Sequence, residues 1–257
     1  MEEKVALVTG AAGGIGEAVV RTLGERGARV AAVDRDGTRL AETVEKMQAD
    51  GLDVEAFAGD VTSSPDVESL VGLVERRFGT PDFLVNAAGV LRLSEARALT
   101  DDDWSATFAV NTTGVFFVSR AVVNRMIAAG RRGAVVTVAS NAASTARVEM
   151  AAYAASKAAA TMFTKCLGLE VARDGIRCNL VAPGSTDTAM LSSMWADDTG
   201  RKGTIEGRAE AYRVGIPLGK LARPKDVADA VAFLLSDEAG HITMHDLTVD
   251  GGAALGV

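Results

Sequence analysis

Residues 10–16 read GAAGGIG and stand between a run of strand-forming residues, VALVT, and a helical segment. A glycine-rich turn in this place lets the backbone approach a pyrophosphate, which then lies at the positive end of the helix. A lone glycine pattern is weak evidence, but this one has the required strand before it and helix after it. The turn therefore predicts a dinucleotide site that includes Gly10, Gly14, Ile15 and Gly16.

An acidic residue ends the second predicted strand. Asp34 lies 18 residues after Gly16, where a carboxylate accepts hydrogen bonds from the adenosine ribose hydroxyls. The same charge repels a 2′-phosphate, and Gly13 places no basic side chain before Gly14. Both features favour NAD over NADP, whereas Arg35, directly after Asp34, dilutes that preference.

Apolar runs of strand length alternate with longer amphipathic segments along the chain. Their continuous Val, Ala and Leu character predicts strands buried on both faces, as in a parallel sheet. Strand and helix in alternation form a doubly wound α/β fold, and no linker divides the chain, so we predict one domain over residues 1–257. The predicted strands are 5–9, 29–34, 54–60, 82–89, 134–140, 177–184 and 246–252, with helices such as 66–78 and 224–236.

One region breaks this alternation. From Thr188 to Ile216 a helical segment with Met and Trp residues separates PGSTDT from IPLGKLARP. An excursion beyond the carboxyl end of a strand is where a lid over a ligand is placed. We predict a substrate lid over 188–216, with a surface helical hairpin as the alternative.

Charge and hydropathy exclude several classes of protein. The formal net charge of −7 argues against a nucleic-acid or anionic membrane surface. No run of about 18 uncharged apolar residues predicts a membrane span, and the acidic, strand-like start MEEKVALVTG is unlike a signal peptide. His241 and His245 precede a strand and have no third ligand nearby, so we predict no metal site. The expected location is the cytoplasm.

Residues 151–160 read AAYAASKAAA, which predicts a helix because alanine is the best helix former. Tyr153 and Lys157 then lie on one helix face, one turn apart. A free phenol has a pKa of about 10 and is a poor base. A nearby ammonium, together with the charge of oxidised nicotinamide, favours the phenolate. Tyr153 is thus predicted to take the proton of an alcohol whose hydride leaves for the nicotinamide, while Ser140 orients the same oxygen.

The order of these motifs resembles that of the short-chain dehydrogenases/reductases. TGAAGGIG is followed by GDV, NAAG, AVNTTG, the serine, YAASK and PG, so the resemblance covers essentially the whole chain. It implies a Rossmann-type, doubly wound, seven-stranded parallel sheet in a three-layer αβα sandwich, and a homo-oligomer, usually a tetramer. It also implies a catalytic tetrad of Asn111, Ser140, Tyr153 and Lys157. In that tetrad Lys157 also binds the nicotinamide ribose, and Asn111 holds a water that relays the proton.

The same resemblance implies further cofactor contacts from four loops. They flank the adenine, lie beside the cofactor, or hold the nicotinamide carboxamide. The residues assigned in this way are Asp60, Val61, Asn86, Ala87, Gly89, Pro183, Gly184, Thr186 and Thr188.

Longer segments, among them VNAAGVLRL, STARVEM and GIPLGKLARP, resemble family members that oxidise a cyclic dihydrodiol carboxylate in catechol siderophore biosynthesis. Aromatisation of the product would draw such a reaction toward oxidation. A carboxylate substrate calls for a cation, and a bidentate arginine is the best match. We hypothesise that Arg147 pairs with the carboxylate and Arg92 assists, with Met150 and Met190 beside the ring.

Three alternatives stay open at this point. An amino-alcohol carboxylate of the trans-2,3-dihydro-3-hydroxyanthranilate type has its carboxylate and reacting carbon in the same places. A ketoacyl or sugar-type oxidoreductase using NADPH is disfavoured by Asp34. A dinucleotide sensor without enzymatic activity would not need the complete tetrad.

Overall fold

The computed structural model describes residues 1–195, 197 and 199–256. Its strands are β1 (Val5–Thr9), β2 (Arg29–Asp34), β3 (Val54–Ala58), β4 (Phe83–Asn86), β5 (Gly133–Val138), β6 (Ile176–Pro183) and β7 (Asp246–Val249). All are parallel and form one sheet in the order β3-β2-β1-β4-β5-β6-β7. The predicted strands are confirmed, but several were drawn too long at their carboxyl ends. Those extra residues form the loops that build the site.

Helices cover both faces of the sheet. They are α1 (Gly14–Glu25), α2 (Gly37–Ala49), α3 (Ser64–Phe78), α4 (Asp101–Phe108), α5 (Val115–Ala128), α6 (Ala151–Val171), α7 (Ala189–Ser192), α8 (Thr199–Glu206) and α9 (Pro224–Leu235). The predicted doubly wound αβα fold is confirmed. The predicted ranges 1–257 and 188–216 include Ala196, Asp198 and Val257, which lie outside the described residues.

Strand β1 shows why the strands read as unbroken apolar runs. All five of its residues are buried. Ala6 and Val8 pack into the cluster under α1, α2 and α9, whereas Val5 and Leu7 pack into the cluster under α3, α5 and α6. Because alternate residues face opposite helical layers, neither face of the strand tolerates polar side chains.

The helical run Asp101–Ala128 is long and apolar enough to span a membrane by length and composition. Half of its most apolar window is buried inside the fold, where Val118, Val122 and Met126 pack under the sheet. A buried core helix passes the same test of length and composition, and this packing accounts for its apolar character.

The order of the strands places the site. The chain winds outward from β1 to β3, then returns to pair β4 with β1 on its other side. Ligands of open α/β sheets bind in the crevice outside the carboxyl ends of the strands at such a switch point. The glycine turn after β1 and the loop after β4 both border this crevice.

Arg177, near the start of β6, caps the carboxyl end of α9. Its guanidinium donates hydrogen bonds to the backbone carbonyls of Leu234 at 2.6 Å, Leu235 at 3.0 Å and Ser236 at 3.0 Å. The last carbonyls of a helix lack partners within the helix, and a cation there also interacts favourably with the helix dipole. Burial lowers the pKa of this guanidinium.

Replacing Arg177 with Met is expected to lower the free energy of unfolding by about 3 kcal/mol, because three carbonyls lose a charged donor. Urea denaturation at a fixed protein concentration measures the change. Arg173→Met is the control, since Arg173 is exposed and its loss should cost no more than about 0.5 kcal/mol. Equal effects from the two substitutions would contradict the capping role.

Candidate active site

The glycine turn is shaped by close backbone contacts. Gly10 has a φ of 70°, and a β-carbon on it would lie 2.7 Å from the backbone nitrogen of Ala88. A β-carbon on Gly16 would lie 2.6 Å from the carbonyl carbon of Gly10. Gly14, at φ 59°, begins α1. The turn therefore admits only glycine at these positions and leaves the amino end of α1 open for a phosphate.

A cleft opens above this turn. Among the predicted cofactor residues, those that line the cleft are Gly10, Gly14, Ile15, Gly16, Asp34, Arg35, Asp60, Val61, Ala87, Gly89 and Thr188. A second pocket adjoins the cleft and shares Ile15, Ala87, Gly89, Thr188 and Met190 with it. Predicted residues that line only this second pocket are Ser140, Arg147, Met150, Tyr153, Lys157, Pro183, Gly184 and Thr186.

Asp34 lines the cleft and also stabilises the glycine turn by hydrogen bonding. One carboxylate oxygen accepts a hydrogen bond from the backbone N–H of Ala12 at 3.1 Å, and the other accepts from the N–H of Asp36 at 3.0 Å. Each oxygen keeps a lone pair that a ribose hydroxyl can use. The residues present thus fit a dinucleotide: a glycine cradle for its phosphates and a carboxylate for its ribose.

The space before Gly14 is occupied by a cation, which the sequence reasoning missed. Arg39, in the first turn of α2, lines the cleft and lies against Gly13. Position 13 itself is glycine, so the residues next to Gly14 carry no sign of this cation. No local pattern shows that a residue of α2 reaches this place.

Asn86 does not line the cleft or the pocket, contrary to the expectation that it lies beside the cofactor. Its side chain is buried and donates hydrogen bonds to the hydroxyls of Ser119 at 2.9 Å and Thr137 at 3.3 Å. Asn86 is the last residue of β4 and ties that strand to α5 and β5. Its role in this structure is to support the floor of the crevice.

Three of the four predicted catalytic side chains converge in the second pocket. Tyr153 and Lys157 project from the first turns of α6, and Ser140 follows β5. The Ser140 side chain lies near the phenol of Tyr153 and lowers its pKa in part. The ammonium of Lys157 donates to the carbonyl of Val138 at 2.8 Å and lies 5.9 Å from the centre of the Tyr153 ring.

Asn111 lies behind this group, in a π-helical turn over Ala109–Gly114 that joins α4 to α5. Both N–H groups of its carboxamide are engaged by protein partners, and the carboxamide oxygen accepts one hydrogen bond and keeps a second lone pair. The oxygen accepts from the N–H of Val90 at 2.9 Å, and the nitrogen donates to the Val90 carbonyl at 2.9 Å and to the Ser156 hydroxyl at 3.0 Å. The widened turn alters the helical bonding of the backbone, which is common at functional sites.

The pKa of Tyr153 does not move as the sequence argument expected. Burial raises the pKa of the phenol, and the nearby Ser140 side chain lowers it only in part. Burial also lowers the pKa of the Lys157 ammonium to about 8. The protein alone therefore disfavours both charges, and the expected lowering by Lys157 is not found. A positive charge beside the phenol, such as that of an oxidised nicotinamide, would favour the phenolate.

Of the two arginines predicted to bind the substrate carboxylate, the structure places one, Arg147, in the pocket. Arg147 lines the pocket, where burial lowers its pKa and the charge of Asp250 partly restores it. Arg92 does not line the pocket: its side chain is 54% exposed and pairs with Asp103 at 3.5 Å. The prediction that Arg92 assists at the substrate carboxylate is therefore wrong for this structure.

Arg213 takes the place expected of Arg92. It lines the pocket, with its guanidinium 3.5 Å from the Ser185 hydroxyl. Burial lowers its pKa, and so does the positive charge of Arg147. Two half-buried guanidinium groups thus line one pocket, and an anion bound between them would offset their repulsion.

A small hairpin carries Arg213 into the pocket. The backbones of Arg208 and Arg213 exchange hydrogen bonds of 2.9 and 3.0 Å. Gly207 and Gly215 close the hairpin, and both have φ above 80°. A β-carbon on Gly207 would lie 2.7 Å from the nitrogen of Gly215. The paired glycines were the one sequence signal that could have revealed this arrangement.

The site can hold a polar oxygen between Ser140 and Tyr153 and an anionic group near the arginines. Both lie beside the cleft whose glycine cradle suits a dinucleotide. Within the described part of the chain, no group of three His, Cys, Asp or Glu side chains is placed to hold a metal ion.

Comparison with known proteins agrees with this geometry. A family model described as short chain dehydrogenase matches residues 4–199. The chain is 55% identical over 257 residues to a protein of Bacillus subtilis named 2,3-dihydro-2,3-dihydroxybenzoate dehydrogenase, covering 100% of this chain and 98% of the relative. It is 42% identical over 252 residues to the protein of that name from Escherichia coli, covering 97% and 96%.

Solved structures show the same architecture. A crystal structure of a variant of actinorhodin polyketide ketoreductase with NADPH matches with a TM-score of 0.89 and 36% sequence identity. The match covers 98% of this chain and 97% of the ketoreductase chain.

Proposed function

The chain belongs to the short-chain dehydrogenase family and is an oxidoreductase, and we propose that it oxidises 2,3-dihydro-2,3-dihydroxybenzoate to 2,3-dihydroxybenzoate with NAD. The reaction removes hydride from a ring carbon that carries a hydroxyl, and the resulting ketone tautomerises to a catechol. The product would serve catechol siderophore biosynthesis. Full-length identity of 55% to a protein of that name supports the assignment.

One observation carries the proposal: the pocket joins a phenol–serine pair to an arginine pair. Tyr153 and Ser140 bracket the position of a reacting oxygen, while Arg147 and Arg213 line the same pocket. A substrate that carries both a secondary alcohol and a carboxylate uses both features. A neutral alcohol would supply no anion to these two half-buried guanidinium groups, of which only Arg147 is favoured by a nearby carboxylate, that of Asp250.

The residues act on the proton while the cofactor accepts the hydride. A bound oxidised nicotinamide supplies the hydride acceptor and a positive charge. Tyr153 accepts the hydroxyl proton of the substrate, and Ser140 donates a hydrogen bond that orients the same oxygen. Lys157, held by the Val138 carbonyl, keeps a cation beside the phenol and can reach a ribose hydroxyl. We assign Asn111 to hold a water that relays the proton, through the second lone pair of its carboxamide oxygen.

The direct test is NAD reduction with the dihydrodiol as substrate. Formation of NADH together with the aromatic product is the expected result. Trans-2,3-dihydro-3-hydroxyanthranilate is the comparison substrate, since it has an amino group where the diol has a hydroxyl. Faster turnover of that compound would show that it is the substrate in place of the dihydrodiol. Faster turnover of a ketoacyl substrate with NADPH would show that the protein is a ketoacyl reductase and not a dihydrodiol dehydrogenase.

The segment 188–216 is proposed to act as the substrate lid. Met190 and Arg213, which lie near its two ends, line the pocket. Leu191 belongs to a small apolar cluster with Ile216 and Leu221 that is separate from the main core. A segment anchored by so few buried contacts can open at low cost.

We also infer a homotetramer in the cytoplasm. Helices α5 and α6 expose apolar side chains, among them Phe116, Met162 and Leu169, the last 70% exposed. Such exposed apolar faces favour association between copies of the chain. A cytoplasmic location fits the need for a nicotinamide cofactor and the two free cysteines, Cys166 and Cys178.

A further inference from the structure

Asp250, the residue that follows β7, is a buried carboxylate that the proposed reaction does not use. Its side chain and backbone together are only 9% exposed. One carboxylate oxygen accepts a hydrogen bond from the backbone N–H of Gly252 at 2.8 Å. The other accepts from the backbone N–H of Ala254 at 2.8 Å and from the side-chain amide of Asn141 at 3.1 Å. Three donors therefore fix this carboxylate in place, as a buried charge requires.

Three loops meet at Asp250 beside the substrate pocket. Asn141, in the loop after β5, and Gly184, in the loop after β6, both line that pocket. A β-carbon on Gly184 would lie 2.9 Å from the Cα of Asp250, so only glycine allows this approach. The turn after β7 also accepts a hydrogen bond, through the carbonyl of Gly251, from the N–H of Leu218 at 3.1 Å. Asp250 thus connects the walls of the pocket from behind.

The hydrogen bond from Asn141 holds the base of the loop that carries Arg147. Ser140 lies two residues beyond the end of β5. There the chain leaves the sheet, and the bond to Asp250 ties it to the turn after β7. The carbonyl of Asn141 in turn accepts from the N–H of Thr145 at 3.1 Å. A displacement of Asn141 is therefore transmitted to the segment that leads to Arg147.

The Arg147 side chain depends on this loop for its position. Over residues 1–195, 197 and 199–256, its guanidinium forms no ion pair and donates no hydrogen bond. The far end of the loop is held by the backbone, where the N–H of Ser94 donates to the carbonyl of Glu149 at 3.0 Å. The negative charge of Asp250 favours the positive charge of Arg147. Because its three donors hold Asp250 in place, Arg147 is attracted toward it and remains available to another anion.

We propose that Asp250 is a positioning residue that sets the preference of the pocket for carboxylate substrates. Through Asn141 it holds the loop of Arg147, so that a substrate whose carboxylate is bound there presents its hydroxyl to Ser140 and Tyr153. This inference rests on the proposed function, since it concerns the carboxylate of the proposed substrate. A diol without a carboxylate does not use Arg147 and does not depend on this placement.

Asp250→Asn tests the proposal at saturating NAD, with 2,3-dihydro-2,3-dihydroxybenzoate and a cyclohexadiene diol without the carboxylate as substrates. KM for the carboxylate should rise about 10-fold, equivalent to about 1.4 kcal/mol, and kcat should stay within about 3-fold. For the diol without the carboxylate, kcat/KM should change by less than about 2-fold. Loss of a negative charge near Arg147 would by itself strengthen the attraction for a carboxylate and lower KM. The direction of the change therefore separates positioning from charge.

Two variants of Asn141 test the same hydrogen bond from its other side. Asn141→Ala removes the donor and leaves Asp250 its two backbone donors, and the same selective rise in KM is expected. Asn141→Asp places a second carboxylate against Asp250 and should act in the same direction. Combining Asn141→Asp with Asp250→Asn exchanges donor and acceptor, so KM should return to within about 3-fold of the wild-type value.

Asp246→Asn is the matched control, since it removes a carboxylate from the other end of β7, outside the pocket. It should leave both substrates unaffected, and NADH should bind every variant as it binds wild type. Equal loss with both diols, a lower KM in Asp250→Asn, an unchanged KM in Asn141→Ala, or no recovery in the exchanged double variant would each overturn the inference. Failure of wild type to oxidise the dihydrodiol carboxylate would overturn the proposed substrate and this inference with it.

Discussion

Replacing Tyr153 with Phe is expected to lower kcat for dihydrodiol oxidation by about 10³-fold or more, a loss of at least about 4 kcal/mol of transition-state stabilisation. Phenylalanine keeps the ring that packs in the pocket and removes only the group that accepts the proton. Steady-state NADH formation measures the change, and KM should move little because the carboxylate receptor remains intact.

The pH dependence separates a lost base from a distorted pocket. A base must be deprotonated to act, and burial raises the pKa of Tyr153 in the protein alone. The wild-type rate is therefore expected to fall as the pH is lowered, and the residual rate of the Phe variant should lack that slope. NADH binding is the control and should be unchanged. A variant that keeps more than about a tenth of wild-type kcat would remove Tyr153 from the role of base.

Replacing Arg213 with Leu is expected to raise KM for the dihydrodiol carboxylate by 10- to 100-fold, since a charged hydrogen bond contributes about 1.5–3 kcal/mol. Arg147→Leu should have a comparable effect. The double variant should lose less than the sum of the two single effects if, as proposed, both guanidinium groups bind one carboxylate. Initial-rate kinetics at saturating NAD measures all three.

Two controls show whether the effect belongs to the carboxylate. Arg92→Leu removes an exposed arginine that pairs with Asp103 outside the pocket, and KM should change by less than about 2-fold. A cyclohexadiene diol without the carboxylate should be oxidised by wild type and by Arg213→Leu with similar kcat/KM. If Arg213→Leu impairs both substrates equally, the arginine shapes the pocket and does not bind the carboxylate.

The arginine pair also has a consequence for stability. Arg147 and Arg213 are half-buried, and the positive charge of Arg147 lowers the pKa of Arg213. Removing one relieves that repulsion, so Arg213→Leu should unfold at the same or a slightly higher urea concentration than wild type. Functional sites commonly hold such unfavourable arrangements, because the ligand compensates them.

The secondary structure, the glycine turn and the register of the catalytic pair could be predicted from local sequence. The seven strands were predicted because apolar runs of strand length and helical periodicity are properties of short segments. The glycine turn was readable because strand, Gly10, Gly14, Gly16 and helix are contiguous. The register of Tyr153 and Lys157 on one face of α6 followed from the helical repeat alone, and the structure places both in one pocket.

The tertiary structure decided which distant side chains meet, and there local patterns carried no information. Asn86 ends strand β4 within a motif that the family resemblance assigns to the cofactor, yet its carboxamide donates hydrogen bonds to Ser119 and Thr137. Arg92 and Arg213 have the same side chain and charge, so residue type could not show which of them lines the pocket. Arg213 reaches the pocket because it lies on the hairpin closed by Gly207 and Gly215. Contacts between residues far apart in the sequence depend on the paths of the loops that leave the sheet. Neither the hydrophobic periodicity nor the spacing of motifs predicts those paths.

The burial of Tyr153 and Lys157 was likewise a tertiary outcome. Four positions on a helix make two residues neighbours, but the packing of loops around α6 buries Lys157 and partly buries Tyr153. This burial raises the pKa of the phenol and lowers the pKa of the ammonium. The sequence by itself determined the fold, the cofactor turn and the spacing of the catalytic pair, because these are set by short-range periodicity. The tertiary structure alone decided the electrostatics of that pair and the identity of the anion receptor, because desolvation and convergence depend on contacts between remote segments.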